Sequence, residues 1–219
     1  MKRNFLAAIC ALFTLFVAET ASAQYTSIVN QVANLVQTAA YGGAGYKGYV
    51  DASYTGGFGN VRADFLGVST TQGATLSSWF FMGAGLGVDM VFSKSGNDFN
   101  SDWMGGRKTR TCGVMIPVFT DFRFNFGQKN STGLYLDVKA GGSFLIGGDY
   151  LAIENGYISS TEYFLLKPTL GIRVPMGTGG KKAVNIGLTY QLLTCNYWWN
   201  NNSSSGTLNS LGATVAYEW

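Results

Sequence analysis

From residue 45 onward polar and apolar residues alternate with period two, the repeat of a strand with two different faces. Eight segments carry the pattern: Tyr46–Thr55, Val61–Thr70, Trp79–Ser93, Gly113–Phe126, Leu134–Ile146, Tyr163–Pro175, Ala183–Thr194 and Leu208–Trp219. Turns rich in Gly, Asn and Ser separate them. Each is longer than the ~5–6 residues of an ordinary globular strand and close to the ~9–11 of a tilted strand that crosses a bilayer. The expected fold is all-β: an eight-stranded antiparallel barrel of up-and-down topology over residues 45–219.

The two faces separate by charge. Asp121, Arg123 and Asn125 share one parity; Ile116, Val118, Phe122 and Phe124 hold the other. Tyr135, Asp137, Lys139 and Ser143 oppose Leu134, Leu136, Val138 and Phe144. Lys167, Thr169 and Arg173 oppose Phe164, Leu166, Leu170 and Ile172. Lys47 pairs in parity with Asp51, and Arg62 with Asp64, although Leu66 and Val68 then fall on the charged side of the second segment. Six bases (Lys47, Arg62, Arg123, Lys139, Lys167, Arg173) and six acids (Asp51, Asp64, Asp89, Asp121, Asp137, Glu218) make up the polar face. The remaining charges fall in expected loops or at strand ends.

Periodicity alone does not say which face looks outward. A soluble calyx puts charge outside; a membrane barrel puts it inside. Composition separates them. Only 12% of residues are charged, against the quarter or more that a water-facing surface carries. The polar face is rich in glycine (Gly83, Gly85, Gly87, Gly141, Gly171, Gly187, Gly212), as a crowded lumen requires, and aromatic residues such as Phe80, Phe92, Phe126, Tyr217 and Trp219 gather at segment ends. Interfacial girdles occupy such positions. The expectation is a transmembrane barrel with a charged lumen. Long connections (Ser93–Cys112, Gly147–Glu162, Cys195–Thr207) alternate with short ones (Gly127–Gly133, Met176–Lys182), except that Gly56–Asn60 is shorter than the turn after it.

The first residues read as an address. Lys2 and Arg3 precede an apolar run from Phe5 to Ala18, and Ala21-Ser22-Ala23 supplies small residues for cleavage. Residues 1–23 are therefore expected to be a signal peptide, with the mature chain starting at Gln24. Losing Lys2, Arg3 and Glu19 leaves 13 basic and 11 acidic residues, net +2. Within 24–44, Ile28, Val32, Leu35 and Ala39 fall at helical spacing; a short periplasmic helix, a lumen plug and a plain linker all fit. Cys112 and Cys195 are the two cysteines of the mature chain, and export permits a bridge between them without requiring one.

Three stretches, Gly45-Tyr46-Lys47-Gly48-Tyr49-Val50-Asp51, Phe80 to Val88 and Ile116-Pro117-Val118-Phe119-Thr120-Asp121-Phe122-Arg123, together with the ending Val215-Ala216-Tyr217-Glu218-Trp219, resemble the small outer-membrane β-barrels of Gram-negative bacteria, the OmpX/OmpA-like porin superfamily. The resemblance spans residues 45–219. It implies an outer-membrane location, contact with membrane lipid and lipopolysaccharide, and Trp219 as the assembly signal read by the barrel-assembly machinery.

No histidine is present, which removes Ser-His-Asp catalysis, histidine metal ligands and histidine pH switches. Gly43, Gly45 and Gly48 form a G-x-G-x-x-G string that precedes a strand, without the βαβ unit a nucleotide site needs. No catalytic residue, metal site or cofactor is expected, and a dense basic patch for nucleic acid is lacking. An eight-stranded barrel is just wide enough for side chains to fill, and unpaired buried charge costs several kcal/mol. The balanced charges thus suggest a closed, salt-bridged lumen and a structural or surface-recognition role; the alternative is a narrow channel for small solutes. In the outer loops, Tyr197, Trp198 and Trp199 either bind a glycan or protein partner or end a strand in the aromatic girdle. Arg107, Lys108 and Arg110 either meet lipopolysaccharide phosphates or are solvated. Asp149, Glu154 and Glu162 offer that basic loop an internal partner.

Overall fold

The structure, a computed structural model, describes residues 45–59, 61–94, 99–100, 108–127, 130–147, 149–153, 156–177, 182–199 and 202–219. The expected signal peptide, the 24–44 segment, Arg107 and Glu154 lie outside the described residues.

Twelve strands follow in order: β1 (Gly45–Phe58), β2 (Ala63–Ser77), β3 (Phe80–Ser93), β4 (Phe99–Asn100), β5 (Lys108–Arg110), β6 (Cys112–Phe126), β7 (Gly133–Ile146), β8 (Tyr150–Ile153), β9 (Gly156–Ile158), β10 (Glu162–Met176), β11 (Lys182–Trp199) and β12 (Asn202–Glu218). The eight long ones, β1, β2, β3, β6, β7, β10, β11 and β12, each pair antiparallel with the next, and β12 returns to β1. The barrel is closed, so these strands leave no unpaired edge.

The register fixes its shape. From Gly48 the ladder runs to Gln72, Ala84, Thr120, Ala140, Leu166, Leu192 and Asn209, and reaches β1 again at Phe58, ten residues from its start. With ordinary strand rise and spacing, eight strands and this stagger give a tilt of about 40° and a radius of about 8 Å. Large inward side chains fit such a bore only where a neighbour is small. A Cβ on Gly85 would lie 2.5 Å from the Phe119 ring, and one on Gly187 would lie 2.7 Å from the Tyr135 hydroxyl. Glycine on the polar face is thus a packing requirement.

Two prolines interrupt the ladder. The β10–β11 pairing skips from Leu166↔Leu192 to Thr169↔Thr189 around Pro168, and the β3–β6 pairing skips from Leu86↔Val118 to Asp89↔Met115 around Pro117. Proline has no N–H to donate.

Two connections differ from expectation. β2 continues through Thr70-Thr71-Gln72-Gly73-Ala74-Thr75 to Ser77, where polar residues on both faces hide the alternation. The turn to β3 is therefore short, and the irregularity at Gly56–Asn60 disappears. Cys195–Thr207 is not a loop either: β11 and β12 stay paired out to Trp199↔Asn202. Beyond the barrel body β9 joins β11 on its free side, followed by β8, β5 and β4. One end of the barrel therefore carries this added sheet; the other carries short turns and the chain's last residue.

Candidate functional site

The lumen has three tiers. Nearest the short-turn end, Arg173 donates from Nε and Nη2 to Glu218 at 2.9 and 2.8 Å, and Lys47 pairs with the same carboxylate. This bidentate geometry matches guanidinium to carboxylate. The group forms because β1, β10 and β12 bring Lys47, Arg173 and Glu218 to one level.

In the middle tier Arg123 is the hub, 2% exposed. Its Nη2 reaches Asp51 at 2.9 Å, Asp121 at 3.0 Å and Asp137 at 3.3 Å, and its Nε donates to Asp121. The Tyr49 ring stacks below the guanidinium at 3.8 Å. Lys139 donates to Asp51 at 2.9 Å and to the Ser69 hydroxyl at 3.3 Å. Lys139 and Lys167 face each other across the β7–β10 ladder. Like charges so placed repel; Lys139 turns to Asp51, whereas Lys167 donates to Ser53 at 2.8 Å. Threonines fill the opposite wall, with Thr189 within hydrogen-bond distance of both Thr169 and Thr214.

The upper tier is apolar. Phe65, Val91, Met115, Leu145, Leu165, Leu193 and Leu208 point inward from the barrel strands, and Leu151, Ile153 and Ile158 of β8 and β9 close over them. Ser93 Oγ donates to the Ala152 carbonyl at 2.6 Å and ties this cap to β3. The sequence reading missed the tier. Its signal was present: Leu165 shares parity with Lys167, and Val91 with Asp89.

Ten of the twelve charges expected inside the lumen do face it. Nine are buried, Lys47 partly so. Arg62 and Asp64 are corrections. Arg62 is exposed in the β1–β2 connection. Asp64 is on the outer parity of β2 with Leu66 and Val68, at the rim, where it takes Lys94 Nζ at 2.8 Å, the Gly57 N–H at 2.8 Å and the Tyr54 hydroxyl at 3.2 Å. A charge on an otherwise apolar face is held there by three local donors. Five bases and five acids remain inside, so the balance survives the correction.

The outer face is the inverse of the lumen. Leu86, Leu170, Ile186, Leu188, Leu211 and Val215 are among its exposed apolar side chains. Among the described residues, every outward charge on the barrel strands sits at a strand end: Asp64 and Glu162 toward the elaborated end, Lys182 at the other. Aromatic residues collect at the short-turn rim, where Trp79 stacks on Phe124 and Tyr217 on Trp219. Trp219 and Gly48 exchange backbone hydrogen bonds, which closes β12 onto β1.

At the elaborated end, Tyr197, Trp198 and Trp199 are in strand β11, between β12 and β9, not in a loop. Lys108 and Arg110 are exposed on β5. The Lys108 N–H donates to Asp149 Oδ1 at 3.2 Å and Arg110 Nε donates to Oδ2 at 3.2 Å, so the acidic loop does partner the basic one. Glu162 is exposed at the start of β10. The Lys108 amide, with Arg110, holds the Asp149 carboxyl below the usual carboxylate range. A depressed acid contributes stability above its unfolded value and loses it as pH falls through the folded one. The Asp149 carboxyl carbon is therefore expected to titrate below ~3.9 by NMR, and Arg110→Ala should move its midpoint upward. An unmoved midpoint would mean that Arg110 does not engage it. Cys112 faces outward and Cys195 inward; both thiols are free, because opposite faces of the wall keep them apart.

The described residues include no group of three His, Cys, Asp or Glu side chains able to hold a metal. No protein-family model matches the chain, and no curated protein matches it.

Proposed function

We propose that the chain is a small outer-membrane β-barrel of a Gram-negative bacterium, similar to the OmpX/OmpA-like proteins. Its lumen is closed, and its role is non-enzymatic: structural support or surface recognition through the elaborated end. One observation carries the reading. The barrel wears its apolar side chains outside and its charges inside, with outward charge confined to strand ends. In water that wall would be an apolar patch far larger than a few hundred Å², which marks an interaction surface; a bilayer covers a closed cylinder of it on all sides. Strands at about 40° also suit the tilt of membrane barrels.

Insertion with the short turns in the periplasm puts β4, β5, β8, β9 and the β11–β12 hairpin outside the cell. There Tyr197, Trp198 and Trp199 are the candidates for a glycan or protein ligand. Lys108 and Arg110 are the candidates for lipopolysaccharide phosphate, although Arg110 already engages Asp149. Trp219 is the candidate signal for the assembly machinery.

Closure rests on two layers: Arg123 with its carboxylates across the middle, and the apolar cap above. Refolded mature chain in a planar bilayer is expected to be silent, with a heat-dependent gel shift confirming that it folded. Discrete openings would replace this reading with a narrow channel for small solutes.

A further inference from the structure

At the short-turn end the lumen opens into a cavity of about 440 Å³. Its lining includes Tyr49, Thr75, Ser77, Phe81, Asn125 and Trp219. We propose that this cavity binds a neutral polyhydroxylated ring of monosaccharide size, a sugar or a cyclic polyol.

The chemistry of the wall carries the inference. Tyr49, Thr75 and Ser77 contribute hydroxyls, and Asn125 contributes a carboxamide. Groups of this kind both donate and accept hydrogen bonds. Alcohol hydroxyls do the same, whereas a carboxylate only accepts and an ammonium only donates. The hydroxyls of Tyr49 and Ser77 are buried and have no hydrogen-bond partner among the described residues. A buried polar group left so is costly, and a solute hydroxyl would satisfy it; the Ser77 hydroxyl reaches one by turning about a single bond. Apolar surface for the C–H face of a ring is also present. Phe81 packs against Tyr49 with ring centroids 4.9 Å apart, and the Trp219 indole adds a second face at the rim. The charged groups of the wall do not call for a charged solute, because Lys47 and Arg173 both engage Glu218. The volume falls within the range of about 300–1,000 Å³ typical of small-molecule sites. Finally, the cavity is blind: the Tyr49 ring that lines it lies directly against Arg123. A solute enters and leaves by the same mouth. The site needs only the folded barrel, whatever surrounds its wall, so its failure would leave the membrane reading untouched.

The test is an amide NMR titration of the refolded mature chain in a polyoxyethylene detergent, whose head group carries no sugar ring. Glucose and myo-inositol are the probes, so the two arms distinguish a sugar from a cyclic polyol; inorganic phosphate is the charged comparison. Saturable shifts at Gly45, Gly127 and Gly133, which line the cavity, are expected with at least one of the two rings at millimolar concentration, and none with phosphate. Tyr49→Phe keeps the aromatic ring and removes only the hydroxyl; it should weaken binding about fivefold. Ser77→Ala should act similarly, and the double variant should bind more weakly than either. Because the Tyr49 hydroxyl has no partner within the described barrel, Tyr49→Phe without solute should unfold at no lower a urea concentration than its parent. Lys94→Ala, at the opposite end, should leave binding unchanged. Absence of saturable shifts with both rings would overturn the proposal. So would tighter binding of phosphate than of either ring, binding that survives the double variant, or binding that Lys94→Ala abolishes. Early unfolding of Tyr49→Phe would also overturn it, because the hydroxyl would then be bonded within the protein.

Discussion

Arg123→Leu should lower the unfolding free energy of the barrel by about 3–5 kcal/mol, the usual consequence of removing one partner from a buried ionic group. The guanidinium touches Asp51, Asp121 and Asp137, each buried. Without it three carboxylates share Lys139, whose own contacts reach only Asp51 and, at 3.9 Å, Asp137. Asp121, whose ion pair among the described residues is with Arg123, then keeps no base beside it. Leucine fills part of the volume and packs against Tyr49, so the loss is chiefly electrostatic. Lys94→Ala breaks the exposed pair with Asp64 at the rim and should cost less than about 1 kcal/mol. Urea unfolding of both variants, followed by tryptophan fluorescence, gives the comparison. Equal, small losses would mean that Arg123 is not the hub of the lumen. Adding Asp121→Asn to Arg123→Leu should recover part of the stability, because it removes the carboxylate left most exposed to the imbalance.

The barrel and most of its lumen were legible because the two faces differ in kind. Where charge and aliphatic residues alternate cleanly, as at Asp121/Phe122/Arg123 or Asp137/Val138/Lys139, parity alone assigns each side chain to a face. Asp64 broke the rule because it sits at a rim, where local donors at Gly57, Tyr54 and Lys94 make an outward carboxylate tolerable. No parity argument contains those donors. The lower half of β2 was hidden because Thr71, Gln72, Gly73 and Thr75 present polar or small residues to both sides, although the ladder needs only their backbones. The same holds for Asn202 to Ser205, which read by composition as loop and pair as strand. The apolar cap was out of reach for another reason. Leu151, Ile153 and Ile158 come from short pieces within one connection, and they are core only because the barrel mouth lies beneath them. That contact is non-local, and periodicity reports only what is local.

The free thiols follow from geometry that the sequence does contain. Cys112 has the parity of Val114 and Ile116, and Cys195 that of Leu193. Opposite faces of one wall cannot be bridged without twisting a strand.

The claim that matters most is that the apolar wall meets lipid. Leu188 tests it: it is 71% exposed at the middle of β11, opposite Leu170 on one side and Ala213 on the other. Arginine there would project from the centre of the band. In a lipid vesicle the unfolding free energy of Leu188→Arg should fall by about 2–4 kcal/mol, while Phe58→Arg, at a strand end, should lose no more than about 1 kcal/mol. Leu188→Ala separates the charge from the lost side chain. On a water-facing wall all three changes would stay within about 0.5 kcal/mol, since an exposed leucine has little to lose. Reversible denaturant unfolding of the refolded chain in vesicles measures the difference. A large, depth-dependent penalty is the predicted result. A Leu188→Arg variant as stable as its parent would contradict the membrane reading outright.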